Sequence, residues 1–275
     1  MAHQVIRNAL VYFSPTGATR TVAKSIAQGL AINPREFDQT LPADREKKIA
    51  LEDAEFVLLA FPVYGGRLPP VAREIVSQLP KGKRPAAAVV VFGNVGPGDA
   101  LAELYDLCVS RDFEVKAAGA FIGEHSYSSV LGRNRPDDAD RERARVFGVG
   151  IRQTLFSNSV IHRETISKTP PATYRAYQPK QSLAFMLKPR SCEVCRFCIH
   201  SCPVGAFIGG DPKRIDLERC IGCAACIKLC PHKARKFEDD DFLDDVAIMV
   251  ANHSEAKEPV LFLPPNLPEY MGGIG

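Results

Sequence analysis

Residues 8–20 read NALVYFSPTGATR, and this stretch decides the fold of the first half of the chain. The run NALVYF is short and almost entirely apolar, which is typical of a strand that is buried on both faces. A helix is predicted next, over Ala18 to Leu30, because its apolar residues recur at helical spacing. Ser14, Thr16 and Thr19 place hydroxyl groups at the N-terminus of this helix, where they could bind an anion or serve as ordinary caps.

The same alternation of apolar runs and helical patterns continues to about residue 156. Further strands are predicted at Arg35 to Asp38, Phe56 to Phe61, Ala86 to Phe92 and Val115 to Phe121, and further helices at Val71 to Leu79, Ala100 to Ser110 and Asp138 to Phe156. Continuous apolar strands that alternate with helices predict a doubly wound α/β domain with five parallel strands. Ligands of such sheets bind beyond the carboxyl ends of the strands.

Two glycine-rich loops follow strands at that edge of the predicted sheet. They read FPVYGGRLP at residues 61–69 and GNVGPGD at residues 93–99. Glycine lets the backbone approach a ligand closely, but the second loop does not spell GxGxxG, which excludes a dinucleotide fingerprint. Beyond the fifth strand, His125 and Tyr127 could line a ligand site or donate protons, or form only hydrogen bonds within their loop.

Eight of the nine cysteines lie in two runs with identical spacing, CEVCRFCIHSCP at residues 192–203 and CIGCAACIKLCP at residues 220–231. Three closely spaced thiolates of one run can bind three irons of a cubane cluster, and the fourth ligand comes from the other run, as in bacterial ferredoxins. We therefore predict two 4Fe–4S clusters. The first has the ligands Cys192, Cys195, Cys198 and Cys230, and the second has Cys220, Cys223, Cys226 and Cys202.

Disulfides and zinc are the alternatives for clustered cysteines. The first residues lack a long apolar region, so no secretory signal is expected to favour disulfides, and a zinc ribbon needs two CxxC pairs rather than two runs of four. The ninth cysteine, Cys108, lies in a predicted helix beside Leu104 and Leu107, and we expect it to be a small buried hydrophobic residue.

The loops resemble the flavin-binding loops of flavodoxins. YFSPTGATR resembles their phosphate loop, S/T-x-T-G-x-T, with Ala18 where the family often has Asn. FPVYGGRLP resembles the second flavin loop, in which Tyr64 would stack on the ring, and the third loop lacks the second aromatic residue of that family. The resemblance implies FMN, bound by Ser14, Thr16, Gly17, Ala18, Thr19, Pro62, Val63, Tyr64, Gly65, Gly93, Asn94, Gly98 and Asp99.

The order of the two parts resembles a family of fused flavodoxin–ferredoxin proteins over roughly residues 5–262. It implies a flavodoxin-like doubly wound five-stranded parallel sheet, followed by a small α+β domain of the bacterial ferredoxin type. The expected domains are a flavodoxin-like FMN-binding domain at 1–160, a linker at 161–185, a ferredoxin-like domain at 186–237, and a C-terminal helix and tail at 238–275 that pack back on them. Within the last, a helix is predicted at 242–250, a short strand at 259–262 and an irregular tail from 264.

Charge and hydropathy limit the function classes. The net charge of +3 is too small to indicate nucleic-acid binding, and no apolar run is long enough to predict a membrane span. A cytoplasmic protein with redox protein partners is expected, and a homodimer is compatible with the sequence. Lys188 to Lys236 is basic and Glu238 to Asp245 is acidic. The acidic run could neutralise the basic module or remain solvated. Alternatively, the basic module could dock acidic partners.

The cofactor set predicts an electron-transfer protein, in which the two-electron chemistry of FMN is coupled to one-electron chemistry at the clusters. The alternative is a flavin-dependent reductase that acts on a small molecule with electrons fed through the clusters. A redox sensor is a third class, but it needs an output domain that the sequence does not reveal. No catalytic residue is predicted.

Overall fold

The computed structural model describes residues 7–31, 33–155, 157–177 and 185–265. The strands are β1 (Asn8–Tyr12), β2 (Arg35–Asp38), β3 (Phe56–Pro62), β4 (Arg84–Phe92), β5 (Phe113–Ile122), β6 (Phe185–Leu187), β7 (Arg235–Phe237) and β8 (Val260–Phe262). The helices are α1 (Ala18–Gly29), α2 (Pro42–Arg45), α3 (Pro70–Gln78), α4 (Ala100–Ser110), α5 (Asp138–Thr154), α6 (Arg163–Ile166), α7 (Phe197–His200), α8 (Ala225–Lys228) and α9 (Asp240–Asn252). Phe156, the predicted end of α5, and the predicted tail from residue 266 onward lie outside the described residues.

The first five strands are parallel and lie in the order β2-β1-β3-β4-β5. This order is that of the flavodoxin-like doubly wound fold, so the predicted fold class is confirmed. β1 and β3 are buried along their whole length, as expected for strands with helices on both faces. One apolar core lies on the side of α3 and α4, and a second lies on the side of α1 and α5.

The sheet has one strand more than the five predicted. β8 pairs antiparallel with β5, with Leu261 opposite Gly119, so the complete sheet is mixed and six-stranded. A short strand was expected at 259–262, but its sheet could not be assigned, because three residues carry too little pattern to specify a partner. Cys108 is fully buried in the core on the α3 and α4 side, which confirms its prediction as a hydrophobic residue.

The two cysteine runs fold as copies of one local structure. At three pairs of positions 28 residues apart, both copies adopt a positive φ, namely Val194 and Gly222, Arg196 and Ala224, and Gly205 and Lys233. A non-glycine residue with a positive φ is uncommon, so the shared conformation reflects a shared structural demand. In both copies an alanine N–H donates to the fourth thiol 3.3 Å away, from Ala206 to Cys202 and from Ala234 to Cys230.

Side-chain contacts attach this module to the sheet domain. Lys228 forms an ion pair with Glu124, which follows β5. The Tyr127 ring lies edge-on against Phe242 at 5.2 Å and against Phe237 at 5.6 Å between centroids. The acidic run begins α9, where the Asp239 carboxylate accepts a bond from the Phe242 N–H and Asp240 and Asp241 occupy the first turn, as the helix dipole favours. No helix within the described ranges is long and apolar enough to cross a membrane.

Candidate redox site

A cleft of about 580 Å³ opens at the carboxyl ends of β1, β3, β4 and β5, where the sequence predicts ligand binding. Its walls include most of the residues that the flavodoxin resemblance implies: Ser14, Thr16, Ala18, Thr19, Pro62, Val63, Tyr64, Gly65 and Gly93. His125 and Tyr127 line the same cleft from the loop after β5. The sheet thus brings separate loops of the sequence together at one edge.

The N-terminus of α1 is open to an anion at one end of this cleft. Gly17 is its N-cap residue with φ +92°, offers no capping side chain, and has no atom within 4 Å of where a Cβ would lie. The first turn of the helix holds no acidic residue. The Ser14 hydroxyl accepts a bond from the Arg20 N–H at 2.9 Å and so caps one N–H group of the first turn. Gly17 has no side chain that could cap the N–H groups before Arg20. This arrangement fits a phosphate.

The second and third loops are fixed to each other. The backbone of Tyr64 pairs with that of Arg67 in both directions, and the Asp99 N–H donates to the Gly66 carbonyl oxygen at 2.8 Å. A Cβ on Gly98 would lie 2.5 Å from that same oxygen, so this close approach requires glycine. Arg67 forms a buried ion pair with Glu103 at 2.7 Å, which anchors the base of the second loop to α4.

Asn94 and Asp99 lie outside the cleft wall, and their side chains bond to other segments. The Asn94 amide donates to the carbonyl oxygens of His253 and Glu255, both at 2.8 Å, and accepts from the Lys257 N–H at 3.0 Å. The Asp99 carboxylate accepts bonds from the backbone N–H and the Nε of Arg175. These two predicted flavin residues therefore hold the C-terminal segment and the linker in place.

The cleft continues into a larger cavity between the sheet domain and the segments that follow it. Tyr177 of the linker, Ile221 of the second cysteine run, and Phe242, Val246 and Met249 of α9 contribute to its walls. None of these residues was among the predicted site residues. The apolar side of α9 is a sequence signal that could have suggested its lining residues. Tyr177 lies in a segment without periodicity, so no sequence pattern indicates it.

Besides the ionisable Arg175 and Asp245, the wall of this cavity carries the polar side chains of His125, Tyr64 and Tyr177, which are uncharged near neutral pH. Burial lowers the pKa of His125 to about 4, with smaller contributions from Lys228 and His253. Its Nδ1 accepts a bond from the Tyr127 N–H at 3.1 Å, so the proton of the neutral ring is on Nε2. Burial also raises the pKa of Tyr177 to about 12 and that of Tyr64 well above its usual range. These side chains can therefore donate hydrogen bonds to a ligand without changing its charge.

The eight cysteines of the two runs surround two separate cavities. The outer cavity is lined by Cys192, Cys195, Cys198 and Cys230. The inner cavity is lined by Cys202, Cys220, Cys223 and Cys226. These are the two groups that the spacing predicts, each with one cysteine from the other run, and none of the eight forms a disulfide.

Each cavity offers four thiols around a space, a donor set that fits a thiolate-ligated cluster. Among the residues that the structure describes, no three or more His, Cys, Asp or Glu side chains are grouped closely enough to hold a single metal ion. Ligation by these eight residues remains a prediction.

The two cavities differ in their surroundings. Ile221 lines both the inner cavity and the larger cavity beside the cleft, and Cys223 is buried. At the outer cavity, Cys195 is exposed, and so are the apolar side chains of Val194 and Phe197, at 58% and 47%. The inner cavity therefore faces the candidate flavin site and the outer cavity faces solvent.

Comparison with known proteins supports the assignment of the second cysteine run. Residues 213–236 match the family of the 4Fe-4S binding domain. A ferredoxin of Saccharopolyspora erythraea is 33% identical over 87 residues, which are 25% of this chain and 82% of that protein. The iron-sulfur subunit of a putative dimethyl sulfoxide reductase of Halobacterium salinarum is 32% identical over 77 residues, 26% of this chain and 29% of the relative. A tetrathionate reductase subunit of Archaeoglobus fulgidus is 45% identical over 51 residues, 17% of this chain and 25% of the relative.

The chain spans less than a third of these two reductase subunits. Similar solved structures include a flavodoxin from the domain Archaea, with a TM-score of 0.41 and 15% identity over 54% of this chain and 98% of that one. Another is the oxidised flavodoxin 1 from Bacillus cereus, with a TM-score of 0.41 and 18% identity over 56% and 99%. The description of the first domain as flavodoxin-like rests on its strand order.

Proposed function

Since the chain belongs to the ferredoxin family through its cysteine-containing segment, fused here to a flavodoxin-like domain, we propose that it couples FMN in the cleft to two 4Fe–4S clusters and exchanges electrons with a protein partner. The observation that carries this proposal is the shared wall at Ile221, which lies between the inner cavity and the larger cavity that continues from the cleft. FMN, when bound, takes up two electrons and can release them one at a time, while each cluster passes one.

The cleft residues divide the work of holding FMN. Ser14 to Thr19, at the open N-terminus of α1, would bind its phosphate, and Tyr64 would contact its ring. The ion pair of Arg67 with Glu103 keeps the second loop in place, because Glu103 also accepts a bond from the Leu68 N–H at 3.0 Å. The side chains of Asn94 and Asp99 serve the enclosure of the site rather than direct contact with the flavin.

The inner and outer cavities would each hold one cluster, with four cysteine ligands apiece. Electrons would pass between the flavin and the inner cluster, and between the two clusters inside the module. The partner would meet the outer cluster, where the exposed residues Val194 and Phe197 lie next to Cys195. The direction of flow depends on the partner's potential.

The surface around the outer cavity fits an acidic partner. We define the outer face by Arg190, Val194, Arg196, Phe197 and Lys233, which are all exposed and lie within three residues of an outer-cavity cysteine. It combines three cations with two apolar side chains, and only Glu193, which is 3.4 Å from His232, adds an acidic group among the residues between Arg190 and Phe197. Complementary charge of this kind speeds the encounter of redox proteins.

The test is to purify the whole chain without oxygen, to measure its flavin, iron and sulfide, and then to titrate it coulometrically. We expect about one FMN and about eight irons per chain, and an uptake of about four electrons. Optical spectra should show the flavin. Electron paramagnetic resonance should show the reduced clusters in the same preparation. A preparation that binds iron but takes up no flavin from added FMN would contradict the coupling.

A second candidate function is reduction of a small molecule at the flavin. The larger cavity favours it, because the Tyr177 hydroxyl is buried there without a hydrogen-bond partner in the described part of the chain. A substrate oxygen or nitrogen could bind this hydroxyl. Saturable turnover of a small-molecule acceptor, lowered in Tyr177→Phe, would favour the reductase, whereas reduction of protein acceptors alone would favour the carrier.

A further inference from the structure

Arg235 is a buried cation between the two thiol-lined cavities. It is 4% exposed and lines the outer cavity together with the four thiols there. Its Nη1 donates to the Pro212 carbonyl oxygen at 2.6 Å, but its Nε and Nη2 are buried with no hydrogen-bond partner within the described ranges. The same guanidinium acts electrostatically on Cys220 and Cys226 of the inner cavity.

A guanidinium in this position needs a negative counter-charge. A buried ion is costly unless it is paired, and Arg stays protonated under all ordinary conditions. Thiolates bound to an iron–sulfur cluster would supply that charge on both sides of the guanidinium.

The internal repeat shows that packing alone does not require a cation here. Twenty-eight residues earlier, the position equivalent to Arg235 is Phe207, and the two residues stack with the guanidinium 5.1 Å from the ring centroid. They follow the equivalent residues Ala206 and Ala234, whose N–H groups bond the fourth thiols. One copy of the repeat fills this position with an apolar ring and the other with a charge.

We propose that Arg235 is a positioning residue that raises the reduction potentials of both clusters by stabilising the negative charge each gains on reduction. Net charge and hydrogen bonds to sulfur are among the main determinants of cluster potential, and charges interact strongly in a medium of low dielectric constant. The position between the cavities makes the effect common to both clusters. The inference rests on the proposed pair of clusters, and it adds a residue that ligates neither of them.

The test is a potentiometric titration of the whole chain followed by electron paramagnetic resonance, after iron and sulfide have been measured. Arg235→Gln removes the charge, and we expect lower potentials for both clusters at unchanged iron content. Arg235→Lys keeps the charge, and its potentials should stay close to those of the wild type. The matched control is Lys236→Gln, which removes a neighbouring exposed cation paired with Glu238 and should leave both potentials in place.

Unchanged potentials in an iron-replete Arg235→Gln protein would overturn the proposal, and so would equal shifts in the Gln and Lys variants. If Arg235→Gln does not bind its clusters, wild-type protein labelled with guanidino-15N arginine provides the test instead. Pulsed electron paramagnetic resonance should detect a guanidinium nitrogen coupled to the reduced clusters, and absence of that coupling would refute the proposal. A wild type without iron would instead refute the proposed function itself.

Discussion

The inner and outer cavities share one backbone design but not one environment. Both cavities end on a thiol that accepts an alanine N–H at 3.3 Å, and the repeat places positive φ angles at equivalent positions. The inner cavity lies behind Ile221 next to the candidate flavin site, whereas the outer cavity has the exposed Cys195 at its edge. The surroundings therefore give two copies of one local structure two different positions in the proposed electron path.

This difference indicates that the role of each proposed cluster would follow from what covers its cavity. Segments distant in sequence enclose the larger cavity on the far side of Ile221: the linker contributes Tyr177, and α9 contributes Phe242 and Met249. On the outer side, Val194 and Phe197 remain uncovered beside three cations. An uncovered, positively charged edge suits transfer between proteins, and a covered edge suits transfer within one.

The largest expected effect comes from removing one ligand of the outer cavity. Cys198→Ala should lose about half of the iron, keep its flavin, and exchange electrons with an acidic ferredoxin no faster than background, because the proposed outer cluster is where the partner would react. Flavin and inner cluster should still exchange electrons. Iron analysis, flavin absorbance and stopped-flow reduction measure the three properties.

Two matched variants serve as comparisons for Cys198→Ala. Cys223→Ala removes an inner ligand, so flavin reduction should no longer reach the outer cluster. Cys108→Ala removes the one cysteine outside the runs, which is fully buried in the sheet domain, and should cost roughly 1 kcal/mol of stability with no loss of iron. Undiminished iron in Cys198→Ala would contradict the ligand assignment.

The burial of His125 in the wall of the larger cavity predicts that the stability of the protein depends on pH. The pKa of His125 is about 4 in the folded protein and near 6.5 in an unfolded chain, so the unfolded chain binds more protons between these values. The free energy of unfolding should therefore fall as pH decreases, by about 2 kcal/mol from pH 7 to pH 5. Urea unfolding followed by circular dichroism measures it.

His125→Gln should flatten this profile, because glutamine does not titrate. His162→Gln, which changes an exposed histidine at the start of α6, should retain the wild-type slope. An equal slope in wild type and His125→Gln would show that the inner side is hydrated rather than covered.

The local parts of this architecture were predictable from the sequence. Apolar runs such as residues 56–61 specify buried strands because a strand covered on both faces has no polar side, and the strand order follows from the doubly wound pattern. The grouping of Cys230 with the first run, and of Cys202 with the second, follows from the cysteine spacing. Each of these features is encoded within a short window or an exact repeat.

The enclosure of the site was not predictable, because it depends on contacts between distant segments. The resemblance assigns the loop of Asn94 to the flavin through its backbone, which stays a prediction, but no sequence pattern indicates that the Asn94 amide bonds a carbonyl 159 residues away. The segment predicted as a linker does more than connect, since its Tyr177 lines the larger cavity and its Arg175 bonds Asp99. A polar side chain at a loop can bond a ligand or another backbone, and its sequence neighbours do not distinguish the two.

The exposed cations of the outer face predict that the charge of this face affects the rate of electron transfer with a protein partner. Arg190→Glu, on the outer face, should slow the bimolecular reduction of an acidic ferredoxin by about tenfold at low ionic strength, and the difference should shrink as salt is added. Internal transfer between flavin and clusters should keep its rate. Stopped-flow kinetics over a range of salt concentrations measures both.

Lys81→Glu is the matched control, since it reverses an exposed charge between α3 and β4, at the opposite edge of the sheet. Its rate should stay within a factor of about two of the wild type, as expected for a remote, screened charge. A tenfold loss in Lys81→Glu would mean that overall charge, rather than the outer face, controls the encounter.

The smallest expected effect concerns the flavin end of the path. Thr16 lines the cleft at the N-terminus of α1, and loss of one hydroxyl bond to a phosphate costs about 1 kcal/mol, so Thr16→Ala should weaken FMN about fivefold. Thr21→Ala is the control, because the Thr21 hydroxyl bonds the Gly17 carbonyl within the helix. Fluorescence titration with FMN measures the affinity of each. The cluster potentials should not move in Thr16→Ala, since all the proposed ligands lie in the cysteine runs. Equal affinities in the wild type and Thr16→Ala would place the phosphate elsewhere and remove the flavin from its position next to the inner cavity.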